Sequence, residues 1–408
     1  MEKFGLLGEK LGHSYSPQIH AMLADYEYIL YEKKPEEITE FLTNGQFNGL
    51  NVTTPYKKTV IPYCATLSEI AARLGSVNTL IKQKDGTLRG DNTDYFGFLY
   101  MLEKTGIDVK GKKALVLGDG GAAPTIRAAL SDRGAGEVVT ISRRGPDNYD
   151  NIGRHADARI IVNTTPVGMY PGNGRSPVEL GDFKRCEAVA DIIGNPAKTE
   201  LMLQAEDRGI PCAGGLNMLV AQAKRACELF RSVAIQDTVI EEIVEAIGRS
   251  TRNIALIGMP GCGKTTVGQQ LAEITGRRFF DVDEIIIAIA GKSIGRIFDE
   301  DGEAVFRDLE EEALRTAAKE WGSVISTGGG IVGRESNRRL LRQNSDVVFL
   351  DRALEELPDM GRPLSLTQGA EALYERRLPL YLAWSDYKVT ACDGVMQTAQ
   401  AVKEALRI

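Results

Sequence analysis

The sequence predicts an α/β protein in two parts, because a strand that runs into a glycine-rich turn and then a helix occurs once in each half. The first is Lys113-Ala114-Leu115-Val116-Leu117 leading into Gly118-Asp119-Gly120-Gly121-Ala122-Ala123. The second is Ile254-Ala255-Leu256-Ile257 leading into Gly258-Met259-Pro260-Gly261-Cys262-Gly263-Lys264-Thr265-Thr266. Short apolar runs without alternation suit strands buried on both faces of a parallel sheet. The 408 residues, at roughly 150 per domain, leave room for two or three domains.

Composition narrows the class. With 43% hydrophobic and 26% charged residues, the chain is an ordinary globular protein with ample core. A formal net charge of −7 argues against a general binder of nucleic acid or of anionic membrane, while local arginine sites for small anions stay open. The cysteines Cys64, Cys186, Cys212, Cys227, Cys262 and Cys392 form no C-x-x-C and no zinc spacing, which predicts reduced thiols and a cytoplasmic protein. Met1-Glu2-Lys3-Phe4-Gly5 lacks the apolar core of a signal peptide. No run approaches the roughly 20 apolar residues of a membrane span, and no solenoid repeat is present.

Taken in order, Phe4-Gly5-Leu6-Leu7-Gly8 predicts a short buried strand, and a helix should begin near Ser14-Tyr15-Ser16-Pro17. Ser14 and Ser16 read either as helix caps or as a pair of hydroxyl donors for a substrate carboxylate. A strand then ends in Thr53-Thr54-Pro55-Tyr56-Lys57, where Lys57 alone reads as solvated charge. Gly75-Ser76-Val77-Asn78-Thr79 and Gly90-Asp91-Asn92-Thr93-Asp94 have the composition of turns. The run from Gly118 satisfies G-x-G-x-x-A, and a helix to about Arg133 and a strand over 137–142 complete the order of a Rossmann dinucleotide site. An NAD site places Asp or Glu at the end of that second strand. Here stand Ser142-Arg143-Arg144, suited to a 2′-phosphate, so NADP is expected. Strands over 160–162 and 188–192 follow, then residues 211–215 and a helix over 218–230 carrying Gln222. A last helix places Val239, Ile240, Ile243, Val244 and Ile247 on one face. Gly248-Arg249-Ser250-Thr251-Arg252 breaks that pattern, which sets a link over 248–252 between domains at 1–247 and 253–408.

The second turn matches G-x-x-x-x-G-K-[ST], the phosphate-binding P-loop. The backbone at Gly261, Cys262, Gly263 and Thr266 should cradle phosphate, with the helix N-terminus adding positive potential. Lys264 should reach the β/γ-phosphates of ATP, and the Thr265 hydroxyl should hold Mg²⁺. Asp281 and Asp283, two apart at the end of Phe279-Phe280-Asp281-Val282-Asp283, would share one face of a strand. One suits the Mg²⁺ shell and the other a substrate hydroxyl.

The segments of the first half, in this order, resemble shikimate dehydrogenase over nearly all of 1–247. The resemblance implies a substrate domain (about 1–95 with 217–247) and a Rossmann NADP domain (about 96–216). It assigns Ser14 and Ser16 to the substrate carboxylate, and Thr53, Asn78 and Gln222 to ring hydroxyls. Lys57 and Asp94 become the catalytic pair. Gly118, Gly120, Gly121, Ala122 and Gly215 would line the cofactor site, with Ser142 and Arg143 at the adenosine phosphate. The second half adds Gly302-Glu303-Ala304-Val305-Phe306-Arg307-Asp308-Leu309-Glu310, Ser326-Thr327-Gly328-Gly329-Gly330, Gly361-Arg362-Pro363 and Arg377-Leu378-Pro379, and is similar to shikimate kinase. That resemblance implies a P-loop kinase with a parallel sheet. Asp281 would lie near Mg²⁺ and Asp283 at the phosphate-accepting hydroxyl. Arg307 and Arg377 would clamp the carboxylate, Gly329 and Gly330 would let the backbone approach the ring, and Arg362 would belong to a lid.

Three departures accompany the resemblance. Gly194 stands where the dehydrogenases carry a tyrosine after Asp191. Asp119 puts an acid in the phosphate turn, compatible with phosphate only if it points outward. The stretch from Leu350 to Arg362 is short for a lid and carries Glu355-Glu356. The implied function is reduction of 3-dehydroshikimate by NADPH and phosphorylation of shikimate by ATP·Mg²⁺. The partners would be small molecules alone, without nucleic acid or membrane. The rivals are a quinate-preferring dehydrogenase fused to a small-molecule kinase, and a kinase whose first half only binds ligand.

Overall fold

The alternation of apolar side chains along the central strands decides how the layers stack. Ala255 and Ile257 pack into one core with Val282, Phe306 and Ile325, while Ile254 and Leu256 pack into another with Leu271, Val348 and Val402. Residues two apart on a strand share a face, so an unbroken apolar run requires cover on both sides of the sheet. The Lys113–Leu117 strand does the same: Ala114 and Val116 face one core, Leu115 and Leu117 the other.

The computed structural model describes residues 2–12, 14–357 and 370–408, which form two compact units, Met1–Ile247 and Gly248–Ile408. The first unit holds two sheets. One is mixed and six-stranded, in the spatial order Glu27–Glu32, Lys3–Gly8, Gly49–Val52, Thr79–Lys82, Leu88–Asp91 and Cys64–Leu67. The other is parallel and five-stranded, in the order Cys212–Gly214, Ala188–Asp191, Ile160–Asn163, Lys113–Leu117 and Glu137–Ile141. The second unit holds a parallel sheet in the order Phe279–Asp281, Val324–Ser326, Asn253–Ile257, Ser345–Asp351 and Tyr387–Thr390. In each parallel sheet a glycine turn follows an interior strand, Lys113–Leu117 or Asn253–Ile257, so each turn opens at the carboxyl edge where ligands bind in open α/β sheets.

Several local expectations change. The helix expected to break at Gly248 runs Thr238–Thr251. Its end satisfies the carbonyls that a helix C-terminus leaves over: Arg277 donates to the carbonyls of Arg249 and Arg252, each at 2.6 Å, and Gly322 N donates to that of Thr251 at 2.9 Å. The helix expected from 218 begins at Gly215, directly after the strand Cys212–Gly214. Asp281 ends a strand and Asp283 lies in the first turn of the helix Val282–Ala290, so the two acids do not share a strand face.

Beside the mixed sheet, Phe4 stacks on Phe230 at 4.7 Å between centroids and meets Tyr26 at 4.7 Å. His20, 1% exposed, stacks on Tyr28 at 3.9 Å, and its Nδ1 pairs with the Tyr26 hydroxyl at 2.5 Å. Burial pushes the His20 pKa down to about 3, opposed by a hydrogen bond with Asn51. An unfolded histidine titrates near 6.5, so the native state holds His20 neutral while the unfolded chain takes up the proton. The stability associated with His20 is complete above pH ~6.5 and falls on acidification by roughly 1.4 kcal/mol per pH unit towards pH ~3. The chain has 3 histidines, so its imidazole signals can be followed singly by NMR. The His20 signal is expected to stay flat between pH 7.5 and 4.5 while the urea midpoint falls. A His20 signal titrating near pH 6 contradicts this.

Candidate active sites

In the first unit, the Gly49–Val52 strand delivers Thr53 and Lys57 to the floor of a cleft, and the helix Asp94–Lys104 begins opposite. Lys57 Nζ lies 2.6 Å from Asp94 Oδ2, and their side chains are 16% and 12% exposed. The pair borders a cavity of ≈ 300 Å³ lined also by Ser14, Ser16, Asn51, Thr53, Asn78, Ala122, Gly215 and Gln222. Tyr15 stands at the cap position of the helix Ser16–Leu23 and makes no side-chain cap bond, but Ser14 Oγ accepts from Ser16 N, the first N–H of that helix, at 3.2 Å. Both serines also line the cavity.

The segments with turn composition are buried and bonded. Asn78 Oδ1 accepts from Thr93 N at 2.7 Å and from Thr79 Oγ1 at 3.0 Å. Thr93 Oγ1 lies 3.3 Å from Gln222 Oε1, to which it donates. Buried amides keep a fixed orientation only when they are paired in this way. Thr93 and Asn51 receive no role from the sequence; a threonine between Asn92 and Asp94 gives no signal of its own.

On the nucleotide side, Gly118 has φ +100° and an added Cβ would lie 2.8 Å from Thr165 Cγ2, whereas Gly120 and Gly121 face open space. Gly215 is required by contact, because a Cβ there would lie 2.2 Å from Ile192 O. A second cavity of ≈ 280 Å³ continues past Lys57 and Lys58 to Asp119, Gly120, Gly121 and Pro124. Asp119 therefore borders this space. Ser142 is buried and Arg143 exposed at the end of the strand Glu137–Ile141. Asp191 ties its loop together: it accepts from Thr199 Oγ1 at 2.7 Å, Ile193 N at 3.0 Å and Asn163 Nδ2, and burial raises its pKa to about 6. A Cβ on Gly194 would meet nothing closer than Leu219 Cδ2 at 3.8 Å.

In the second unit, Lys264 is buried and donates to the carbonyls of Gly258 and Met259, each at 2.9 Å. Gly261 and Gly263 hold φ of +81° and +99° around the buried Cys262, and Thr266 Oγ1 donates to Gly263 O at 3.0 Å. Thr265 Oγ1 donates to Asp281 Oδ2 at 2.7 Å and lies 3.3 Å from Ser326 Oγ. Asp281 also caps the next helix, accepting from Asp283 N at 2.9 Å.

Arg307 is 12% exposed and donates to the fully buried Glu310 at 2.8 Å and to Glu303 at 3.1 Å. Burial works against the Arg307 charge, but the two carboxylates outweigh it and leave its pKa above the usual value. Burial raises the Glu310 pKa against the pull of Arg307, and Glu310 also senses Asp283 and Arg377. Arg377 is buried, which lowers its pKa. Its neighbour Tyr381 donates to Gly329 O at 2.5 Å. A Cβ on Gly329 would lie 2.5 Å from the Pro260 ring, and one on Gly330 2.3 Å from Arg307 Nη1. Glu310, Ser326 and Tyr381 carry no role on sequence grounds, although Glu310, three residues after Arg307 on a helix, is within reach of an i,i+3 pair. Arg362 lies outside the described residues.

Two nucleotide-type turns at the carboxyl edges of parallel sheets, one beside a lysine–aspartate pair and one beside an arginine-lined acidic site, define an oxidoreductase joined to a phosphotransferase. The family model for shikimate kinase matches residues 260–407, and that for the shikimate dehydrogenase substrate binding domain matches residues 6–80. A shikimate dehydrogenase (NADP(+)) of Clostridium perfringens is 35% identical over 268 residues, covering 60% of this chain and 98% of its own. A chorismate mutase/shikimate 5-dehydrogenase fusion from Clostridium acetobutylicum superposes with a TM-score of 0.57 at 35% identity, covering 60% of this chain and 96% of its own. Shikimate 5-dehydrogenase of Thermus thermophilus, solved with NADP(H) and shikimate, gives 0.55 at 30%, covering 60% and 99%. The chain belongs to the shikimate dehydrogenase family and carries a shikimate kinase domain behind it: it is a bifunctional enzyme of the shikimate pathway.

The contact at Gly330 yields a test. Gly330→Ala should push the Arg307 guanidinium out of its bond with Glu310. The KM for shikimate in the ATP-dependent assay is expected to rise at least about tenfold, the scale of one lost charged hydrogen bond, while the KM for ATP stays within about twofold. An unchanged shikimate KM refutes the positioning.

Proposed function

We propose that the first unit reduces 3-dehydroshikimate to shikimate with NADPH, and that the second phosphorylates the 3-hydroxyl of shikimate with ATP·Mg²⁺. The observation that carries the first half is the 2.6 Å Lys57–Asp94 pair on the wall of a cavity that also reaches Ala122 and Gly215 of the nucleotide side. Bound NADPH supplies the hydride. The Lys57 ammonium, held by Asp94, donates a proton to the oxygen on which negative charge develops and stabilises that charge. Ser14 and Ser16 present hydroxyls to the carboxylate, and Thr53, Asn78 and Gln222 orient the ring hydroxyls. Gly118, Gly120, Gly121 and Ala122 leave the turn open for pyrophosphate. The exposed Arg143 supports NADP over NAD, with Ser142 beside it.

In the second unit, Lys264 exchanges two neutral carbonyls for phosphate oxygens, which are stronger acceptors. Thr265 and Asp281 form an all-oxygen pair suited to magnesium, which neutralises phosphate charge when bound. Among the described residues no three His, Cys, Asp or Glu side chains cluster, and a magnesium site completed by phosphate and water needs no such cluster. Asp283 orients the accepting hydroxyl, Arg307 and Arg377 hold the carboxylate, and Arg362 is assigned to the lid. No helix among the described residues is long and apolar enough to cross a membrane, and the proposed partners are small molecules.

The two halves are separable by substitution. Lys57→Ala is expected to lower NADP⁺ reduction by shikimate by about 10²–10⁴-fold, the usual worth of general acid–base catalysis, and to leave ADP formation from ATP and shikimate intact. Lys264→Ala is expected to do the reverse. If wild-type protein reduces no NADP⁺ with shikimate, the dehydrogenase reading fails. A faster rate with quinate would redirect it to that substrate.

A further inference from the structure

Tyr28 lies outside every motif of the sequence and off the wall of the substrate cavity, yet it bonds a side chain that forms that wall. Its hydroxyl donates to Asn51 Oδ1 at 2.8 Å. Asn51 is 4% exposed and lines the cavity. Asn51 Oδ1 can only accept, so the single phenolic proton goes to Asn51. The tyrosine ring is itself fixed by its 3.9 Å stack on the buried His20.

This arrangement decides what Asn51 shows to a ligand. An asparagine amide can present either its oxygen or its NH₂, and a carboxylate can bind only the NH₂. With the Asn51 oxygen accepting from Tyr28, its Nδ2 donates to Thr79 Oγ1 at a long 3.4 Å and borders the cavity, while the His20 ring also lies against the amide.

Resting on the proposed dehydrogenase reading, we propose that Tyr28 is a positioning residue, which fixes the amide of Asn51 as a donor for the substrate carboxylate. It contacts no reacting atom and should act on substrate binding, leaving the chemical step alone.

The test compares wild type with Tyr28→Phe, which keeps the stack on His20 and deletes only the hydroxyl. Asn51→Asp is run beside it: near-isosteric, it still accepts from Tyr28 but has no N–H to offer. NADP⁺ reduction is measured with shikimate and with its methyl ester, which lacks the carboxylate charge. For Tyr28→Phe, the shikimate KM is expected to rise about tenfold, with kcat and the NADP⁺ KM within about twofold and the ester KM within about twofold, the scale of one lost hydrogen bond to a charged group. For Asn51→Asp, kcat/KM is expected to fall at least about fiftyfold with shikimate, through like-charge repulsion, and far less with the ester. Equal fold losses on both substrates, or an unchanged shikimate KM in either variant, overturn the proposal. A wild-type enzyme inactive with shikimate instead overturns the dehydrogenase reading on which it rests.

Discussion

Asn78 and Glu310 are both shut away from water, at 3% and 0% exposure, and each site is built around what such a group requires. A buried amide or carboxylate without partners costs more than a typical hydrogen bond returns. Its partners must therefore be in place, and here they come from separate stretches of chain. Asn78 takes Thr93 from the turn before Asp94, and Thr93 in turn reaches Gln222 on a helix 129 positions away. Glu310 takes Arg307 on Oε2, and that guanidinium lies against the backbone of Gly330, while Glu310 Oε1 is buried without a hydrogen-bond partner. In the first unit the bonds that satisfy the interior also fix the groups that face the ligand, and in the second the bond to one carboxylate oxygen does so.

The same reasoning explains the glycines at the two sites. At Gly215 a side chain would strike the Ile192 carbonyl, at Gly329 the ring of Pro260, and at Gly330 the Arg307 guanidinium. At these positions the missing Cβ admits another protein group, not a ligand. At Gly120 a Cβ would meet nothing within 4 Å and at Gly121 only Thr54 Oγ1 at 4.0 Å, which suits a turn whose backbone N–H groups must meet pyrophosphate. Asp119 borders that space too, as do Lys57 and Lys58.

Motifs with local geometry are legible in the sequence. The two strand–turn–helix units and the P-loop Thr265 can be named because spacing along the chain fixes their surroundings, whereas Lys57 alone reads as solvated charge and takes its role only from the resemblance. The helix running through Gly248 escapes such a reading because one glycine costs a helix only about 1 kcal/mol, and the carbonyls at its end find partners in Arg277 and Gly322. Asp281 and Asp283 look like neighbours on one strand because the period-two rule says nothing of where a strand stops; the aspartate cap stops it. Asn51, Tyr28, Ser326 and Tyr381 stay invisible for a different reason. Their roles come from contacts across the sheets, between residues that no local pattern relates.

On the proposed reading, the two units recognise one carboxylate with opposite chemistry. The first offers neutral donors, Ser14, Ser16 and Asn51, and the second two buried guanidinium groups, Arg307 and Arg377. The difference follows from what else each site must do. In the first, the acid is a lysine, and a fixed cation nearby would favour its neutral form and leave less of the ammonium to donate a proton. Neutral donors bind the carboxylate without that penalty, but they act through direction alone and need their orientation held from behind. In the second, the transferred phosphate arrives with charge of its own, and Asp283 and Glu310 already make the site acidic. There a carboxylate can be held only by groups whose positive charge survives burial, and arginine is the side chain whose charge does.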